Sequence, residues 1–159
     1  MGTRDILIQQ LANGPVVLRE LIASLPEERL EHRWSGDIWS VQEHVQHLAL
    51  TQIMLYKRIQ LFLKEDIPEI VPFIPDKNAE PPALKPIPEL LDVYESWRGK
   101  QVGLLTKADN VIWSKEAVHP EYTHYNFDIA VRHILTHDGF HFYRIEELGL
   151  LKEENVKPL

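Results

Sequence analysis

Seven prolines fall between Glu65 and Pro88, at positions 68, 72, 75, 81, 82, 86 and 88. Each removes a backbone donor and holds its predecessor away from the helical region, so regular structure is not expected there. A connection this long is uncommon inside a compact domain. It is either a functional lid or a crossover from one end of a bundle to the other, and Ile67, Ile70, Val71, Phe73 and Ile74 are apolar enough to pack on the core or on another subunit. Neither flank could make a domain alone, so residues 1–159 are expected to form one domain.

The flanks read as helices. Ser40-Val41-Gln42-Glu43 has the form of a capping box, and the helix it opens should run to about Leu63. Val41, Val45, Leu48, Gln52, Leu55, Ile59 and Phe62 recur on one face of it, with His44 and His47 on a flank in the first two turns. The next helix should run from about Pro88 to Ala108, with Leu91, Tyr94, Glu95, Arg98, Val102 and Leu105 on one side. Gly99 and Gly103 weaken it by ~1 kcal/mol each, and their spacing would let a neighbouring helix approach closely. Asn126 can cap a last helix that ends near Gly149, a suitable residue just past a helix end.

At the N-terminus Thr3 can cap a first helix, which Asn13-Gly14-Pro15 interrupts. Segments 4–12 and 15–24 follow, separate or joined as one bent arm, with Ile6, Leu7 and Leu11 on the apolar side of the first. Val17, Leu18, Leu21, Ile22 and Leu25 mark that of the second. Pro26 opens a short turn to Leu30, and residues 31–39 form a loop bracketed by Trp34 and Trp39, both read as packing over the end of the core. Val111 to Tyr125 is a second irregular stretch, in which Val111-Ile112-Trp113 is a candidate extended piece. Residues 150–159 read as a frayed tail. Four long amphipathic arms and no convincing strand argue an all-α, four-helix bundle. The crossover permits helices two and three to run in the same direction, giving an up-down-down-up topology.

Composition narrows the chemistry. There is no cysteine, which excludes disulfides, thiolate nucleophiles and cysteine-held metals. Any metal must be held by histidine and carboxylate. A net charge of −7 argues against a general nucleic-acid binder. Residues 1–10, of mixed charge and without a long apolar run, are not expected to act as a signal peptide, and no segment approaches the ~20 apolar residues needed to span a bilayer. A cytoplasmic location is the default expectation.

The last helix carries His133, His137 and His141, four residues apart and therefore on one face. Ile129, Ile134, Phe140, Ile145 and Leu148 recur beside them at amphipathic spacing. Two neutral imidazoles on adjacent turns can bind one zinc, nickel or iron ion. Histidines at this spacing are also common in ordinary helices, and His119 and His124, without a periodic partner, read as surface residues. By helical-wheel counting His44 lies nearer the centre of its apolar stripe than His47.

Two stretches together resemble the DinB-like (DinB/YfiT) family of four-helix-bundle metalloenzymes. Trp39-Ser40-Val41-Gln42-Glu43-His44-Val45-Gln46-His47-Leu48 is similar to the family's second-helix motif: a Trp-Ser opening, a glutamate, then a His-Leu pair one turn later. His137-Asp138-Gly139-Phe140-His141 is similar to its last-helix motif. The resemblance covers essentially the whole chain. It implies a site with His47, His137 and His141 as metal ligands, His133 being packing or a neighbour of the site. Leu50 stands where many members carry aspartate, and Arg144 where many carry glutamine. Asp138 resembles the acid of the His-Glu-x-x-His motif, so a proton-transfer role competes with a structural one. The family further implies a metal-dependent hydrolase, or a transferase using a low-molecular-weight thiol, acting on a small-molecule substrate, and frequent homodimers. A non-catalytic metal-binding protein and a helical dimerisation module are the alternatives.

Overall fold

The computed structural model describes residues 2–72 and 82–158. Phe73 and Ile74, expected to pack on the core or a partner, lie outside these. Four long helices dominate: α1 (Thr3–Ser24), α3 (Val41–Lys64), α4 (Ile87–Lys107) and α6 (Phe127–Leu150). Single turns α2 (Glu27–Leu30) and α5 (Asn110–Trp113) lie in the connections. Among the described residues no strand forms, only three isolated bridges. No helix there is long and apolar enough to cross a membrane.

The caps do what their residue types allow. Ser40 Oγ accepts from Glu43 N at 3.1 Å, and Ser40 N donates to Glu43 Oε2 at 2.7 Å. Asn126 Oδ1 accepts from Ile129 N at 3.0 Å. The far end of α3 is closed by Lys115, whose Nζ donates to Phe62 O and Glu65 O, both at 2.8 Å. A cation at that end also complements the helix dipole.

Pairs of side chains orient the helices. Arg19, late in α1, meets Asp92 and Glu95, early in α4, at 2.6 and 2.7 Å, so these two are antiparallel. Gln42 Nε2 donates to Lys85 O at 2.9 Å, joining the heads of α3 and α4. Midway, Arg98 Nη2 donates to Gln52 Oε1 at 2.9 Å, so α3 and α4 run the same way. Phe62 and Phe127 meet at 5.1 Å between centroids, tying the end of α3 to the start of α6. Leu25 packs over Gly149 where α1 and α6 both end. The helices thus run up, down, down and up in chain order.

Two apolar cores fill the bundle. One gathers Leu18, Val45, Leu48, Leu90, Ile145 and Leu148, the other Leu11, Ile59, Phe62, Leu105, Phe127 and Ile134. Between them lies a buried polar layer of Gln52, Tyr94, Arg98, Gln101 and Asp138. Arg98 is 1% exposed; its Nη1 reaches Asp138 Oδ2 at 2.7 Å and its Nε donates to Gln101 Oε1 at 2.9 Å. Tyr94 OH donates to the same Asp138 oxygen at 2.8 Å. Desolvation of this size is tolerated only because each charged end is paired and hydrogen-bonded.

This layer explains why α1 continues through Gly14-Pro15 instead of breaking there. Pro15 has no N–H for the carbonyl of Leu11, one helical turn earlier. Arg98 Nη1 donates to Leu11 O at 3.3 Å in its place. A Cβ on Gly14 would lie 3.0 Å from Tyr94 OH and 3.3 Å from Arg98 Nη1, so glycine leaves room for the layer.

Other expectations are corrected. One continuous α1 puts Val17 outside, at 49% exposure, because its buried face runs through Leu11, Gly14, Pro15, Leu18 and Ile22. Val111–Trp113 is part of a helical turn, opened by Asp109 Oδ1 accepting from Val111 N at 3.2 Å. Gly149 lies inside α6, where a Cβ would come within 2.5 Å of Leu25 Cδ2. Gly99 and Gly103 face open space and bring no helix close. The tail is not frayed: a 3-10 turn spans Glu153–Asn155, Val156 packs on the first core, and buried Arg144 donates to Lys157 O.

Candidate metal centre

The heads of α3 and the middle of α6 pass each other in opposite directions, which brings four histidines together. His47 Nε2 and His137 Nε2 face each other at 3.1 Å, and one ring nitrogen from each of His47, His137 and His141 lies within 4.8 Å of the others. His44 sits deeper. Its Nδ1 faces His141 Nδ1 at 2.8 Å, a hydrogen bond that needs one protonated and one bare nitrogen. With that nitrogen of His141 engaged, its Nε2 is the one left to ligate.

The donor set fits a divalent transition metal. Three imidazoles of two helices suit zinc, nickel or iron and leave coordination positions open. A ligating histidine normally turns its second nitrogen toward a carboxylate or carbonyl. His137 Nδ1 and Asp138 Oδ1 are both buried without a hydrogen-bond partner and stand 3.9 Å apart, so a small shift of the ring would join them. Asp138 itself is 2% exposed and anchored through its other oxygen by Arg98 and Tyr94. Burial opposes its ionisation, but the neighbouring His137, the charge of Arg98 and the Tyr94 hydroxyl outweigh that, so its pKa lies below 3.8.

Trp39 covers the cluster. Its ring lies 5.2 Å from that of His44, 5.3 Å from His47 and 6.5 Å from His141, the last nearly parallel. Sequence reasoning assigned it to packing; its place one turn ahead of His44 on the capping segment was the available signal. Trp34 does pack on the first core. His133 leans on Tyr122 and Tyr125 at 5.5 Å rather than joining the cluster. His124 is exposed, 3.3 Å from Glu116, and His119 packs edge-on against Tyr122 and tilted against Tyr125.

Burial, more than any neighbouring charge, holds the imidazoles neutral: His44 and His47 are pushed down from 6.5 to about 4, and His141 to about 3. Between those values and 6.5 the unfolded chain binds more protons than the folded one, so stability falls as pH drops. The metal-free protein should therefore lose thermal stability progressively as pH falls through 6.5 toward about 4. A melting temperature that stays flat over that window would contradict the burial of these rings.

A family model described as the DinB superfamily matches residues 10–145. A protein of Bacillus cereus (strain ATCC 10987) named "Putative metal-dependent hydrolase" is 28% identical over 145 residues, covering 91% of this chain and 84% of the relative. One of Bacillus anthracis (strain CDC 684) with the same name matches at the same identity and coverage. Among solved structures, Bacillus subtilis YfiT, described as "a probable metal-dependent hydrolase with an unusual four-helix bundle topology", superposes with a TM-score of 0.77 at 22% identity. That match covers 93% of this chain and 87% of the other. The DinB-like protein YjoA of Bacillus subtilis gives a TM-score of 0.54 at 16% identity, over 92% and 94%. These two likenesses show the fold.

Proposed function

This chain belongs to the DinB superfamily, and from that premise we propose that it is a metal-dependent hydrolase of a small electrophilic substrate, with His47, His137 and His141 as ligands. The observation that carries the reading is the convergence of three imidazole nitrogens within 4.8 Å at the edge of the bundle. When bound, a divalent metal (zinc, nickel or iron) supplies a Lewis acid and a water of lowered pKa. The names of the relatives agree with this chemistry.

The protein's own residues prepare the site. Burial keeps two of the proposed ligands, His47 and His141, unprotonated at neutral pH. Trp39 walls one side of the site. Asp138 works through His137: with Oδ2 held by Arg98 and Tyr94, Oδ1 is left to receive the Nδ1 proton. This positioning role is preferred to direct proton transfer because the carboxylate is almost fully buried. In the reaction, water adds its oxygen to the acyl carbon, the bond to the leaving group breaks, and the leaving group departs with the proton.

Residues 1–159 act as one domain in this reading, in the cytoplasm and as a homodimer, the latter supported by the exposed Phe140 and Tyr143 on the outer side of α6. No nucleic-acid or membrane partner is included. The test is metal analysis of untagged protein followed by assay of 4-nitrophenyl esters. Stoichiometric metal is expected, with turnover lost to a chelator and restored by one metal. Metal without turnover of any electrophile would leave a non-catalytic binding protein. Turnover that requires an added thiol would instead establish the transferase, since the same open position accepts a thiolate; no metal at all would leave the dimerisation module.

A further inference from the structure

We propose that the slot between α3 and α6 beside His137 is a substrate subsite for an uncharged apolar group about the size of a benzene ring. The inference rests on the hydrolytic reading of the three-histidine site. A cavity of about 160 Å³ opens there among the described residues, walled by Leu55, Ile59, Phe62, Phe127 and Ile134, with His137 at its edge. Cavities of about 150 Å³ lined by Leu, Ile and Phe stay dry and accept benzene.

Two of the polar residues along the slot, Thr51 and Arg58, turn their polar ends elsewhere. Thr51 Oγ1 donates back to His47 O at 2.9 Å, which leaves its methyl to the cavity. Arg58 Nη2 reaches out to Val71 O at 3.4 Å, so its aliphatic stem forms the wall. His133 is packed on the rings of Tyr122 and Tyr125. Tyr125 and His137 also border the slot, so what faces the space is mostly, not wholly, hydrocarbon and aromatic ring.

Position links the slot to the chemistry. Thr51 lies one turn beyond His47 along α3, and His133 one turn before His137 along the antiparallel α6. The slot therefore begins at the ligand cluster and leads away from it toward the second core. A carbonyl held at the histidines would direct its acyl substituent into the slot. Esters or amides of aryl or branched-alkyl acids fit this geometry, whereas an acetyl group leaves the space unfilled and a charged one gives up its hydration against mostly apolar walls.

Two measurements on the zinc-loaded full chain test this. Toluene, followed by NMR, should perturb the methyl signals of Ile59 and Ile134. Ala130, on α6, also lines the slot; Ala130→Phe, which fills it, should suppress the effect, and Ala130→Leu should weaken it if the larger residue prevents folding. Hydrolysis of 4-nitrophenyl benzoate and acetate is then compared. The ratio of their kcat/KM values should fall about tenfold or more on filling the slot, with acetate turnover kept. Absence of toluene binding, or a ratio unchanged by a folded variant, overturns the proposal. Toluene binding with neither ester turned over supports the cavity as an apolar binding site and overturns the hydrolytic reading instead.

Discussion

Alanine at any one of His47, His137 or His141 is expected to lower metal affinity by more than about 100-fold, beyond the 10–100-fold typical of residues that only support a ligand. Each removed ring takes with it one of three nitrogens that the fold brings within 4.8 Å, and no cysteine is present to replace it. His44→Ala should fall in the lesser class. His44 reaches the ligand set through His141, nitrogen to nitrogen at 2.8 Å, and its loss frees that ring to rotate without removing it. The contrast is measurable by competition with a chromophoric chelator. A second readout is thermal: saturating metal at about 100 times its Kd should stabilise the wild type by about 2.7 kcal/mol, and the three ligand variants by almost nothing. If His44→Ala abolishes binding while His47→Ala keeps it, the ligand set is misassigned on α3.

The ordering of those two histidines shows what the sequence can carry. Wheel counting puts His44 closer to the middle of the apolar stripe, and it is indeed the deeper of the two, 2% exposed. A ligand that must also face substrate belongs at the stripe's edge, where His47 is half-buried. Local rules served well wherever the determinants were local. The apolar positions read on α3 from Val41 to Phe62 are all buried, and its capping box is made as its residues imply. They failed where the partner lies on another helix. Glu95 reads as part of α4's inner face but is exposed and bound to Arg19. Phe140 reads as core but is 50% exposed, because Asp138 and His141 take the inward places on that turn. Gly14-Pro15 looks like a helix end only until Arg98, more than eighty residues away, is seen to satisfy Leu11. Which helix faces which, and at what register, is not a local property, and the buried polar layer depends wholly on it.

That layer carries the largest stability prediction. Arg98→Met leaves Asp138 as a buried unpaired carboxylate and removes the donors to Gln52, Gln101 and Leu11 in one step. Breaking a buried pair from one side costs about 3–5 kcal/mol. In a chain of this size that lowers the melting temperature by roughly 6–20 °C. Asp138→Asn should destabilise through the converse fault, an unpaired guanidinium, and should weaken metal binding as well, because His137 loses the oxygen that faces its Nδ1. Arg98→Met with Asp138→Leu removes both charges and should recover much of the lost stability without recovering metal affinity, which separates the structural task of Asp138 from its task at the site. The Leu11 bond has its own control. Pro15→Ala restores an N–H to that carbonyl, so it should stabilise the Arg98→Met protein more than it stabilises the wild type, measured by denaturant unfolding. Effects that add within about 0.5 kcal/mol would mean that Arg98 and Pro15 are energetically independent, and that the continuity of α1 has another cause.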